Sequence, residues 1–145
     1  MKNLHKAQIR VFVKPQDFYD EIKKSFSTLL NLDLKKEKIN LEEYKATGFE
    51  KKEIKILYVT IEKNRQLNTF FDNLKEKVGK QKLLELVNNV DDDCYLHIRL
   101  DKEKLLVDEW EIIEGGNCFH IAILIATYPK NSEKAKEKLL DMINS

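Results

Sequence analysis

Tyr95, His97 and Arg99 alternate with Leu96, Ile98 and Leu100 in the stretch CYLHIRLD. That alternation is the period-two signature of a strand with one face on a core. It sets a phenol, an imidazole and a guanidinium on one face, with Cys94 and the aliphatic residues on the other. Arg10 and Phe12 occupy the matching polar face of an earlier strand, over residues 7–14, where Ile9, Val11 and Val13 face the other way. Aromatic and arginine side chains on an open sheet face stack on unpaired bases and meet phosphates. If helices cover that face instead, Phe12 and Tyr95 belong to the core. Alternation alone leaves both arrangements open.

A second basic group lies elsewhere. Lys51, Lys52 and Lys55 fall at a hairpin, and Lys63 and Arg65 at the start of a helix. Backbone donors together with Lys and Arg at such places can meet phosphates. The plain alternative is a solvated charged rim.

Catalytic patterns are missing. The chain has no GxSxG, no GxGxxG and no phosphate-cradling GxxxxGK[ST]. Gly115-Gly116 is a lone pair that suits a hairpin. His5, His97 and His120 share no ligand spacing, and His97 and Cys94 lie on opposite strand faces, which argues against a shared metal. His120 reads as a core or interface histidine, and Asp91-Asp92-Asp93 as a solvated acidic connector. The expectation is a protein without enzymatic activity, cofactor or metal.

Composition narrows the class. The 145 residues suit one domain over 1–145, large enough for a core without disulfides. The two cysteines sit in apolar strands and read as reduced. The polar start MKNLHKAQ and the lack of any apolar run near the roughly 20 residues of a membrane span give a cytoplasmic expectation. Net charge is only +1, but residues 1–70 carry a balance of +5 and residues 71–145 one of −4. A strongly basic binder of nucleic acid is excluded, a local basic face is not.

These groups need elements to position them. A helix after Pro15 presents Phe18, Ile22, Phe26, Leu29 and Leu30 at spacings of three and four. Strands over 39–47 and 54–62 read as an antiparallel hairpin. A helix capped by Asn64 carries Leu67, Phe70, Phe71, Leu74 and Val78 and ends at Gly79. A short helix over 80–87 follows. The segment DKEKLL is either a helical turn or a loop, and 110–113 reads as a short strand. Phe119–Tyr128 is the most apolar run, and both its faces predict a strand at the centre of the sheet, buried on both sides. Asn131 or Ser132 caps a last helix. Helices separated by groups of strands predict α+β: a single two-layer domain with a mainly antiparallel sheet packed by helices.

The opening IRVFVKPQD, the segments ATGFEKKEI and NRQLNTFFDNL, and above all CYLHIRLDKEKLLVDEWEI with FHIAILIATYP resemble an archaeal RNA-binding family described as a predicted exosome-associated subunit. The likeness runs from about residue 6 to 143. It implies a fold resembling the ribosomal protein of the large subunit that holds 5S ribosomal RNA. It also implies RNA binding without catalysis, with protein partners in an RNA-processing complex. Arg99-Leu100-Asp101-Lys102 follows the family pattern and adds Lys102 to the candidate contacts. Glu103-Lys104-Leu105 departs from it, where the family has a glutamine and a small residue. The alternative is an oligomerisation or structural module without RNA.

Overall fold

The computed structural model describes residues 2–48 and 52–145. The elements run β1 (Leu4–Val13), α1 (Tyr19–Leu30), β2 (Glu42–Thr47), β3 (Glu53–Ile61), α2 (Asn64–Val78), α3 (Lys80–Leu86), β4 (Tyr95–Asp101), α4 (Lys102–Leu105), β5 (Cys118–Ile125) and α5 (Ser132–Asn144). A single 3-10 turn, Val87–Asn89, follows α3.

The strands form one antiparallel sheet in the order β2-β3-β1-β5-β4. Period-two alternation divides it into two chemically different faces. Ala7, Ile9, Val11 and Val13 of β1, with Leu57 and Val59, Leu96 and Ile98, and Ile121 and Ile123, are buried. Against them pack Ile22, Phe26 and Leu29 of α1, Leu67, Phe70 and Leu74 of α2, and Ala135, Leu139 and Ile143 of α5. Phe26 meets Phe119 edge to face, with ring centroids 5.6 Å apart. Burying each such large apolar side chain contributes about 1.5–3 kcal/mol, which is why the amphipathic helices all gather on this side.

The other face lies open. Phe12 and Tyr44 keep 50% and 55% of their surface exposed. The architecture is therefore α+β in two layers, as expected, and no helix covers the Tyr95–His97–Arg99 face, whose side chains line open clefts.

Several local expectations shift. The strand in the middle is β1, not β5, because β3 and β5 both pair with it. Ile121, Ile123 and Ile125 enter the core, but Leu124 and Ala126 are only half-buried, so β5 is not covered on both sides. Helix α1 starts at Tyr19, since the Asp17 carboxylate accepts from the Lys14 N–H at 2.8 Å and holds residues 14–17 in a turn. Asn64 is the first residue of α2 and caps nothing; Lys63 stands at the cap position without a side-chain bond. Gly79 ends α2 with φ +96°, a conformation that glycine adopts without strain. DKEKLL contains one helical turn, α4, capped by Asp101 through the Lys104 N–H at 2.9 Å. Residues 110–113 contribute only an isolated bridge, Leu100 to Ile112. Asn131 caps α5 as expected.

Candidate nucleic-acid interface

Register decides which side chains become neighbours on the open face. In one row Glu42 lies opposite Tyr58, Tyr58 opposite Arg10, Arg10 opposite His120, and His120 opposite Arg99. Adjacent strands lie about 4.8 Å apart, so two guanidinium groups bracket His120. The next row holds Thr60, Gln8, Ala122 and His97, and the row on the other side Tyr44, Ile56 and Phe12. Ala122 is small, and the surface dips above it. The result is a cleft of about 450 Å³ between Tyr44 and Tyr58 on one side and Tyr95, His97 and His120 on the other. A second cleft of about 230 Å³ adjoins it, sharing Arg10 and His120 and bounded by Arg99 and the Gly115–Cys118 segment.

The tyrosine wall is braced by its own hydrogen bonds. The Tyr44 and Tyr58 rings stack at 5.2 Å with planes 17° apart, and their hydroxyls meet at 2.7 Å. The Glu42 carboxylate, opposite Tyr58 in register, and then Tyr44 push the Tyr58 phenol well above its usual range. Both hydroxyls are thereby occupied with protein, and the ring faces are what the wall offers.

The opposite wall is a chain of three titratable groups. Asp91 Oδ2 is 2.8 Å from His97 Nε2, and His97 Nδ1 is 3.0 Å from His120 Nε2. The two imidazoles are within 3° of parallel with centroids 5.2 Å apart. With a nitrogen–nitrogen contact of 3.0 Å, that places them edge to edge in one plane, not face to face. His97 donates Nε2–H to the carboxylate. When His97 is neutral, its Nδ1 accepts, and the hydrogen lies on His120 Nε2. Asp91 is itself fixed by the Asp93 and Tyr95 N–H groups, each at 2.9 Å. Burial raises its carboxyl pKa, but the Tyr95 N–H, His97 and the Asp93 N–H outweigh that and hold it below the usual range. Burial, then Arg99, His97 and Arg10, lower His120 to about 4.

Arg10 and Arg99 carry the free positive charge here. Arg10 lies 5.9 Å from the Phe12 ring, and neither guanidinium forms a salt bridge or side-chain hydrogen bond among the described residues. Arg10, Tyr95, His97 and Arg99 thus come together on one surface. The other candidates do not join them. Lys51 lies outside the described residues. Lys52 is in the β2–β3 connection, where its carbonyl accepts from the Gly48 N–H at 2.7 Å. Lys55 points to the helical side with Leu57, its ammonium 4.7 Å from the centre of the Tyr19 ring. Lys63 precedes α2, and Arg65 is paired with Glu37. Lys102 is not on the surface at all. Its side chain is 2% exposed, and its ammonium donates to the Phe12 carbonyl at 3.0 Å and to Asp17 at 2.6 Å. The resemblance implied a contact with RNA there; in the fold the residue ties the start of α4 to the end of β1 and the turn that follows it.

A family model described as RNA binding matches residues 6–127. The chain belongs to this RNA-binding family. The relative from Pyrococcus abyssi named RNA-binding protein PAB1135 is 23% identical over 133 residues, covering 89% of this chain and 86% of that one. The solved structure of Mth689, a DUF54 protein from Methanothermobacter thermautotrophicus, superposes with a TM-score of 0.83 at 22% identity, covering 98% of this chain and 99% of that one. SSO0741 from Sulfolobus solfataricus, also DUF54, gives 0.73 at 20% identity, with 96% and 97% covered. These two likenesses establish the fold.

For this family member the strand pattern announced Tyr95, His97 and Arg99, but not Tyr44, Tyr58, Asp91 or His120. Tyr58 shares a strand face with Ile56 and Thr60, a signal visible in IKILYVTIE. Asp91 looked like part of an acidic connector, and nothing local points it at His97.

The lowered His120 has a measurable consequence. Its unfolded-state value is 6.5 and its folded value about 4. Below 6.5 the unfolded chain takes the proton first, so stability is complete above that pH and falls as pH drops towards 4. His120→Gln is therefore expected to lose less thermal stability than the parent between those limits. Parallel losses in scanning calorimetry would mean that His120 titrates normally.

Proposed function

We propose that this protein binds RNA through the open face of its sheet, without cleaving it. The observation that carries the reading is a helix-free face on which unpaired Arg10 and Arg99 lie among tyrosine and histidine rings. The family match and the name of the Pyrococcus relative support it. Arginines supply phosphate contacts, and rings supply stacking that tolerates any sequence. With a net charge of +1, long-range attraction is weak and affinity comes from this local cluster.

Among the described residues no helix is long and apolar enough to cross a membrane. A cytoplasmic role accessory to RNA processing or exosome-type decay, with protein partners in such a complex, belongs to the same proposal. It rests on the resemblance of the sequence.

The test is a titration of labelled single-stranded RNA at several salt concentrations. A log–log slope of about −0.7 per phosphate contact is expected, with the RNA recovered intact. Absence of binding even at low salt, where surface electrostatics is strongest, would remove the reading and leave an oligomerisation or structural module.

A further inference from the structure

The two adjoining clefts differ in chemistry. The larger is walled by rings and floored by Ala122, and little of it is polar. The smaller lies between Arg10 and Arg99, beside the Gly115-Gly116 turn. A methyl group at either glycine would meet nothing within 4 Å, so the turn leaves the mouth of this cleft open. Arg10 and His120 belong to both clefts. An aromatic slot joined at one edge to a bracket of two unpaired guanidiniums matches one kind of ligand. It must carry a flat apolar face at one end and an anion at the other.

We propose that the open face contains a seat for one unpaired ribonucleotide, its base against the Tyr58 wall and its phosphate between Arg10 and Arg99. The proposal deepens the RNA-binding reading and rests on it. A base stacked inside a duplex cannot enter the slot, whereas a splayed base in a loop or single strand can. His120 contributes no positive charge near neutral pH, because burial and the flanking arginines keep it unprotonated. The phosphate is therefore held by the two arginines, while His120 Nε2 stays engaged with His97. Arginine suits that place because its planar fork takes two phosphate oxygens at once.

Direct titration uses a single strand of about ten nucleotides, its duplex, and a chain of the same length without bases. The single strand is expected to bind at least about ten-fold more tightly than the duplex. Tyr58→Ala should weaken single-strand binding about ten-fold or more, the scale of one lost stacking contact. Tyr58→Phe, which keeps the ring, should bind like the parent. On the base-free chain Tyr58→Ala should have no effect, while Arg10→Ala still weakens binding and Arg10→Lys restores part of it.

Competition with 5′-AMP separates the sources of the same chemistry. Displacement by 5′-AMP that is lost in Tyr58→Ala assigns the seat to a free or terminal nucleotide. Displacement by oligomers alone assigns it to an internal one. Equal duplex and single-strand binding, or unchanged binding in both Tyr58→Ala and Arg10→Ala with parental thermal midpoints, would overturn the seat while RNA binding stands. Failure of every RNA to bind at low salt would remove the underlying reading, and the seat with it.

Discussion

Changing Arg10 and Arg99 together to alanine is expected to weaken single-stranded RNA binding about a hundredfold at low salt. A hydrogen bond to a charged group contributes about 1.5–3 kcal/mol. Both guanidiniums are partly exposed, so the lower end applies to each. Their sum, about 3 kcal/mol, corresponds to that factor, since about 1.4 kcal/mol is tenfold. The loss should be similar for all sequences, because phosphates carry no sequence information. The salt slope should flatten by about 0.7, the equivalent of the one single-strand phosphate that the two guanidiniums share. A second readout lies within the protein. Arg99 and Arg10 both hold His120 down, behind burial as the largest cause. In the double variant the His120 resonances should therefore titrate at a higher pH than in the parent. An unchanged slope would place the RNA elsewhere on the molecule.

Asp17→Ala is expected to cost the fold about 3–5 kcal/mol, the range for removing one partner of a buried ion pair. Lys102 is almost fully enclosed, and Asp17 is the only carboxylate bonded to it among the described residues. Without Asp17 the ammonium keeps only the Phe12 carbonyl. Lys102→Met should cost less. It keeps the aliphatic stem and removes the charge, while Asp17, 15% exposed, still accepts from the Lys14 N–H. Urea unfolding of the two variants checks the order, and a smaller loss for Asp17→Ala than for Lys102→Met would contradict it. Burial raises the Asp17 carboxyl, but Lys102 and the Lys14 N–H more than offset this and leave it below 3.8. The stabilisation is accordingly present above pH 3.8 and lost as pH falls through the lower folded value. Lys102→Met should also leave the salt slope of RNA binding unchanged. That separates this lysine from Arg10 and Arg99, although all three are basic and two stand within the same RLDK stretch.

Taken by itself, the chain of residues determined which side chains share a face. The alternation of Ile9, Val11 and Val13 with Gln8, Arg10 and Phe12, and of Leu96, Ile98 and Leu100 with Tyr95, His97 and Arg99, is a local property of extended backbone. The stripes of α2 and α5, and that of α1 apart from Phe18, which precedes the helix and is 68% exposed, are equally local, as is the cap at Asn131. Two-layer α+β architecture follows from those patterns. Strand order and register do not. Arg10 meets Tyr58 and His120 only because β1 lies between β3 and β5, and the period of two says nothing about which residue of another strand lies opposite. The same limit hid the Asp91–His97–His120 chain, whose two imidazoles are 23 residues apart. It also concealed the burial of Lys102, whose amine finds Asp17 across 85 residues. Tertiary packing alone decided that the helices would gather on the aliphatic side. Each apolar stripe gains most by burial against an aliphatic face, while Arg10, Arg99 and His97 would each have to be stripped of water to be covered. That difference in desolvation leaves the aromatic and arginine face open.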